Sequence, residues 1–194
     1  MSYSYTNRFR KVYVLVEGKT SAGKSKLYFS QKKKKRQSSQ TEADHLPEGY
    51  EVFEDARGQV YLRKEGSSLV PPEEVALAAK ALKKFKLEKQ FEPWVDKNTL
   101  TIYEISQGAL EMAREFNPWL SQATLEDMCM TMGQRTAMMR FVLEDKEKRV
   151  FSPERFCFRG SVDRWISIGA PGKLPALFEK YFGYLGKDSL FELF

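Results

Sequence analysis

Segments in which apolar and polar residues alternate come in adjacent pairs along this chain of 194 residues. Residues 8–17 and 26–30 form one pair, and residues 50–54 and 59–64 form another. The short stretches between paired segments contain Gly, Asp, Ser or Thr, which favour turns. Parallel strands need a long crossover between them, usually a helix. Adjacent pairs therefore predict β-hairpins and antiparallel sheets.

The rest of the chain mixes further strand-like segments with helical periodicity. The additional strand-like segments are residues 91–95, 99–104, 136–144, 149–159 and 164–168. The helical segments are residues 71–87, 106–116, 121–133, 174–181 and 190–194. The pattern predicts an α+β fold with antiparallel β-hairpins or a meander, and with four to five helices packed on the sheet. Trp94, Trp119 and Trp165 are predicted to be core residues.

The domain organisation follows from a polar stretch near the N-terminus. Residues 32–46 are polar and predict a flexible connector, because they cannot bury an apolar face. This connector joins the two hairpins of a basic N-terminal region, residues 1–66, and residues 67–194 form an α+β body. A single continuous domain is the alternative, because 194 residues also suit one shared core.

The positive charge of the chain is concentrated at one end. The first 40 residues carry eleven Lys and Arg against one acid, Glu17, whereas the other 154 residues carry 21 basic and 25 acidic side chains. A basic end on a mildly acidic body is typical of an electrostatic contact surface. The candidate contact residues are Arg8, Arg10, Lys11, Lys26, Lys32, Lys33, Lys34, Lys35 and Arg36.

This asymmetry favours a non-enzymatic binding module whose basic hairpin and lysine run contact nucleic acid, either DNA or RNA, or an acidic protein partner. Each Lys or Arg placed on a phosphate releases a counterion, which makes nucleic acid a strong ligand for such a surface. Two alternatives stay open. One is that the basic arm serves only solubility, and the other is that the chain is a structural subunit of a larger assembly.

One motif points to a different function. Residues 18–25 read Gly-Lys-Thr-Ser-Ala-Gly-Lys-Ser, which satisfies the pattern G-x-x-x-x-G-K-[ST] and follows a strand-like segment. Over these eight residues the chain resembles the P-loop of nucleoside triphosphatases. The resemblance implies a nucleotide-binding enzyme that uses ATP or GTP with Mg²⁺. Its site residues would be Gly18, Gly23, Lys24 as the phosphate lysine and Ser25 as the magnesium ligand.

A P-loop must open directly into a helix whose N-terminus points at the phosphates. Helical steps from Leu27 meet only polar residues, namely Ser30, Gln31, Lys34 and Lys35. No apolar helix face therefore follows Ser25, and a strand returning from a hairpin turn is the favoured prediction.

Other catalytic chemistry leaves little trace in the sequence. His45 is the single histidine and lies in the polar connector, and Cys129 and Cys157 have no Cys-x-x-Cys spacing. We therefore predict no catalytic residues and no metal site.

The chain also lacks an apolar run long enough to cross a membrane, and its first ten residues lack the apolar stretch of a signal peptide. Free cysteines are typical of reducing compartments. We expect a cytoplasmic protein without membrane contact, or a nuclear one if the source is eukaryotic, since Lys32–Arg36 would then read as an import signal.

Overall fold

The computed structural model of the chain describes residues 2–21, 23–31, 41–106, 108, 114–159 and 162–193. The chain forms two compact units, residues 1–67 (unit 1) and residues 68–194 (unit 2). The predicted Lys32–Arg36 run and much of the predicted connector and of the predicted helix over 106–116 lie outside the described residues.

Unit 1 contains two antiparallel sheets. Its strands are β1 (Ser4–Thr6), β2 (Val12–Lys19), β3 (Ser25–Gln31), β4 (Thr41–Glu42), β5 (Tyr50–Glu54) and β6 (Val60–Lys64). Strand β2 is central, because β1 and β4 pair with its first and second halves and β3 pairs with it along its length. Strands β5 and β6 form the second sheet, a hairpin.

The core of unit 1 lies on one face of β2 and β3. Tyr13, Leu15 and Phe29 are buried there together with Val60 of β6, and the half-buried side chains packed against them include Val52 and Leu62 of the second hairpin. Since successive side chains of a strand point to opposite faces, the alternation in β2 places Tyr13 and Leu15 on this face. The two hairpins therefore share one core.

The hairpins of unit 1 use one turn three times, at Asn7–Lys11, Thr20–Lys24 and Asp55–Gln59. In each turn the first N–H donates to the fifth carbonyl, and the fourth N–H donates to the first carbonyl, with N···O distances of 2.8–3.0 Å. A side-chain oxygen of the first residue accepts the fifth N–H at 2.8–3.1 Å. The fourth residue has positive φ, 58° at Arg10, 74° at Gly23 and 76° at Gly58. Turn chemistry of the first residue, Asn, Thr or Asp, thus closes each hairpin.

A cluster of polar contacts joins the first turn to the second hairpin. The Glu54 carboxylate accepts hydrogen bonds from the Tyr5 hydroxyl at 3.0 Å and from the Arg8 backbone and Nε atoms at 3.1 and 3.0 Å. The Asn7 Nδ2 atom donates to the Gly58 carbonyl at 2.6 Å. Because Asn7 Oδ1 also accepts from the Lys11 N–H, one buried side chain holds the first turn and contacts the third.

Unit 2 is built on a five-stranded antiparallel meander. Its strands are β7 (Phe91–Asp96), β8 (Thr99–Ile105), β9 (Arg135–Asp145), β10 (Val150–Arg159) and β11 (Val162–Ser167), and their spatial order is their chain order. The helices are α1 (Pro72–Lys84), α2 (Gln122–Met132) and α3 (Leu174–Tyr181), with 3-10 helices at Phe182–Tyr184 and Asp188–Glu192. Residues 108 and 114–116 are also helical.

The core of unit 2 is rich in aromatic contacts. Phe141 of β9 meets Phe178 of α3 edge to face, with ring centroids 5.2 Å apart, and Phe178 stacks on Phe182 at 4.7 Å. Ala78 and Leu82 of α1 complete this part of the core. Such ring pairs add to the free energy gained by burying apolar area.

The predicted α+β fold with four to five helices packed on the sheet is wrong. Of the described residues 40% lie in strands and 25% in helices, so the fold is β-rich with three antiparallel sheets. The final predicted helix is a short 3-10 segment, and among the described side chains of α2 only Leu125 and Cys129 are buried. Strands β1 and β4 were not predicted, because two or three residues carry no detectable alternation and are held by pairing with β2.

Among the described residues, no helix is long and apolar enough to cross a membrane.

The turn geometry of unit 1 provides a matched test. A Cβ atom on Gly58 would lie 2.3 Å from the Phe9 ring, whereas a Cβ atom on Gly23 would meet nothing within 4 Å. Gly23→Ala should therefore cost only the strain of a left-handed alanine, about 1–2 kcal/mol, and Gly58→Ala should cost more. Urea unfolding of the full chain, followed by far-UV circular dichroism, measures both. Equal losses would contradict the packing of Phe9 on this turn.

Candidate nucleic-acid interface

Five exposed cations of unit 1 lie at the two ends of strand β2. Arg10 and Lys11 belong to the turn that precedes β2, and Lys19 and Lys24 flank the turn that follows it, with Lys26 two residues further along β3. All five side chains are exposed. Eight residues of extended strand separate the two groups by about 24 Å.

These five cations differ from Arg8 and Arg63, which form ion pairs with carboxylates in unit 1. None of the five takes part in an ion pair within the described part of the chain. The acid nearest to the second turn, Glu17, accepts a hydrogen bond from the Ser25 hydroxyl. Their charges are therefore exposed to solvent.

Arg8, one of the predicted contact residues, is bound to an acid of the second hairpin. Its Nε atom lies 3.0 Å from the Glu54 carboxylate, and the exposed fractions of the two side chains are 16% and 10%. A half-buried arginine held by a carboxylate is a structural ion pair. We therefore assign Arg8 to the joint between the hairpins and leave it out of the interface.

Charge is divided unequally between the units. Unit 1 holds 14 Lys and Arg against eight Asp and Glu, and unit 2 holds 18 of each, so unit 1 carries the whole net charge of +6. Several cations of unit 2 are bound to carboxylates, as in the pairs Arg135–Glu92, Arg140–Glu154, Arg149–Glu74, Lys84–Glu179 and Lys89–Glu126.

The residues predicted from the lysine run, Lys32–Arg36, lie outside the described residues. Strand β3 ends at Gln31, which pairs with Tyr13 near the start of β2. The chain therefore leaves β3 at the end of the sheet where Arg10 and Lys11 lie.

The eight residues that resemble a P-loop form a hairpin turn and its flanking strands. Ser25–Gln31 is a strand paired with β2, where a P-loop requires a helix N-terminus. Gly18 lies under the Tyr28 ring, since a Cβ atom there would be 3.0 Å from Tyr28 Cε1. Gly23 supplies the left-handed residue of the turn. The hairpin structure therefore explains why glycine stands at both positions. Lys24 is the fifth residue of its turn, the position that Lys11 and Gln59 hold in the other two turns.

Other reactive residues do not assemble around this surface. His45 is exposed and contacts only its neighbour Asp44 among the described residues, and the hydrogen bond from His45 holds the Asp44 pKa below its usual value. Cys129 and Cys157 are free and buried. Among the described residues, no group of three or more His, Cys, Asp and Glu could hold a metal ion.

Sequence reasoning missed three residues beside the interface. Arg57 is exposed in the third turn, next to the contact between Asn7 and Gly58. Phe53 and Tyr61 are directly opposed on β5 and β6, on the face away from the core. The alternation of this hairpin, with Val52 and Leu62 inward, was the available signal for the two rings.

No protein-family model matches the chain, and no curated protein or solved structure shows significant similarity to it.

A stability measurement distinguishes the structural role of Arg8 from the exposed position of Lys11. Arg8→Ala removes the Nε hydrogen bond and ion pair to a half-buried carboxylate while keeping the backbone bond, and it should lower the free energy of unfolding by about 1–3 kcal/mol. Lys11→Ala keeps the backbone bonds of its turn and should change it by less than about 0.5 kcal/mol. Urea unfolding by circular dichroism compares the two variants, and a similar loss in both would contradict the joint at Glu54.

Tyr5 gives this joint a pH dependence. Burial raises the pKa of Tyr5 above its usual value of 10.0, and the hydrogen bond to Glu54 and its negative charge raise it further. The stability from the protonated phenol is fully present below pH 10 and is lost as the pH rises through the higher pKa of the folded state. Tyr5→Phe should therefore flatten the fall in unfolding free energy above pH 10, measured in urea from pH 8 to 11. The same substitution at Tyr3 is the control, and identical curves for all three proteins would contradict the assignment.

Proposed function

We propose that unit 1 is a non-enzymatic module that binds nucleic acid through the phosphate backbone. The observation that carries this proposal is the location of the net charge. Unit 1 holds all of it, and five of its cations are exposed at the ends of β2 without a carboxylate partner among the described residues.

The spacing of the cations suits a polyanion that lies along the sheet. The two groups are separated by about 24 Å. In a duplex, each strand carries one phosphate for about every 3.4 Å of helix axis, so an interval of about 24 Å along the axis contains about seven phosphates of one strand. The contacts assigned to the backbone are Arg10, Lys11, Lys19, Lys24, Lys26 and the run Lys32–Arg36. Binding of this kind is independent of base sequence.

An acidic protein is a weaker fit to this surface. Protein interfaces normally have an apolar centre surrounded by polar residues. Among the described large apolar side chains of unit 1, only Val12 and Tyr61 are exposed. Cations at the tips of hairpins with little exposed apolar area favour a ligand whose charge is repeated along its length.

The other two hypotheses have less support. A nucleotide-binding enzyme needs a helix after Ser25, and Ser25–Gln31 is a strand. For a structural subunit of a larger assembly, the described residues offer exposed apolar side chains of unit 2, such as Phe116 and Trp119, but no partner chemistry. The two free cysteines suit a reducing compartment, so we place the proposed binding in the cytoplasm, or in the nucleus of a eukaryotic cell.

The salt dependence of binding tests the proposal. Affinity of the full chain for a fluorescent 12-nucleotide single strand should fall steeply between about 50 and 200 mM salt. Replacing Lys19, Lys24 and Lys26 together by Gln should reduce the slope of log affinity against log salt by about 2–3, because each phosphate contact contributes about 0.7–0.9.

The matched control replaces Lys80, Lys83 and Lys173 of unit 2, which are also exposed, by Gln. This variant has the same net charge as the first one, and its slope should equal that of the unchanged protein. Equal losses in both variants would show that only net charge matters. Tighter binding to poly-glutamate than to the oligonucleotide would instead indicate an acidic protein partner, and either result would contradict the proposal.

A further inference from the structure

The outer face of the hairpin β5–β6 carries an ordered row of flat side chains. Phe53 and Tyr61 are paired across the two strands, with ring centroids 6.4 Å apart and planes inclined by 32°. The Arg63 guanidinium carbon lies 4.0 Å from the centre of the Phe53 ring. Tyr61 is 48% exposed, which makes its ring the accessible end of the row.

The row is held in place by its neighbours. The Glu51 carboxylate lies 2.8 Å from the Arg63 guanidinium. The group that covers the Phe53 ring is therefore an ion pair without net charge. The Tyr61 hydroxyl lies 3.4 Å from Asp55 Oδ2. A ring that is already oriented loses little conformational freedom when a second flat group stacks on it.

The turn that closes this hairpin connects the row to the cations of unit 1. Asp55 begins the third turn, which also carries Arg57, and the Gly58 carbonyl of that turn accepts the hydrogen bond from Asn7. The first turn, with Arg10 and Lys11, therefore contacts the turn next to Tyr61. Aromatic rings beside unpaired cations are the combination that binds bases and phosphates of a single strand together.

We infer that Tyr61 and Phe53 form a base-stacking platform, and that the ligand of unit 1 is single-stranded nucleic acid. This inference rests on the proposed function, because the phosphates must first bind to the cations. A duplex keeps its bases stacked on one another, so its interior base pairs offer no face to the Tyr61 ring. A single strand offers both phosphate and base faces.

Three probes of equal length separate stacking from charge. They are a 12-nucleotide single strand, a 12-base-pair duplex and a 12-residue abasic strand, which has the same phosphates and no bases. The full chain should bind the single strand about tenfold or more tightly than the abasic strand, since one stacked base contributes on that order. Tyr61→Leu should remove this advantage without changing abasic binding, and Tyr61→Phe, which keeps the ring, should retain it.

The control variant is Trp119→Leu, because Trp119 of unit 2 is 76% exposed and is not part of the platform. It should leave all three affinities unchanged. Equal binding of the single strand and the abasic strand, with no effect of Tyr61→Leu, would overturn the stacking inference and leave the proposed function standing. If none of the three probes binds at about 50 mM salt, both the stacking inference and the proposed function are overturned.

A second measurement needs no variant. Ultraviolet crosslinking of the unchanged protein to the 12-nucleotide strand, followed by trypsin, isolates residues 58–63 between Arg57 and Arg63. The crosslink should lie on this peptide, at Tyr61. Crosslinks confined to peptides of unit 2 would overturn the inference.

Discussion

The carboxylate of Glu54 holds the two hairpin layers of unit 1 together. It accepts three hydrogen bonds, one from the Tyr5 hydroxyl and two from Arg8, and its side chain is only 10% exposed. A half-buried carboxylate without donors would be strongly destabilising, so these partners must stay in place. They belong to the first strand and the first turn, and Glu54 belongs to the second hairpin. The contact between the first and third turns therefore depends on this group.

This arrangement explains why some cations of unit 1 are bound and others are exposed. Arg8 is the second residue of its turn and points to Glu54, whereas Arg10 and Lys11, at the fourth and fifth positions, are exposed. Lys24 takes the fifth position of the second turn. A tight turn projects its last residues away from the sheet, so a repeated turn presents its cations at the ends of β2. The neutral unit 2, in which many cations have carboxylate partners, lacks this property.

The sequence predicted the hairpins of unit 1 and the positions of the main helices, but not the β-rich character of the fold or how little some helices contribute to the core. Both predicted hairpins of unit 1 are confirmed. They could be predicted because alternation over five or more residues is a local property of the strands. The short strands β1 and β4 and the weak contribution of α2 to the core depend on contacts distant in sequence. Trp119 was predicted in the core and is 76% exposed, since composition does not say which face of a segment is covered. Positive charge identified Lys11 and Lys26 as candidates, but only the structure separated Arg8 from them and showed Phe53 and Tyr61 side by side.

Amide chemical-shift mapping of the full chain, titrated with the 12-nucleotide single strand, shows which residues the nucleic acid contacts. Binding should shift the amides of the first and second turns of unit 1 and of the outer face of β5 and β6, with the amides of unit 2 unchanged. Shifts concentrated in unit 2, or saturable binding without any change at Arg10, Lys11, Lys24 and Tyr61, would contradict the proposed binding by unit 1.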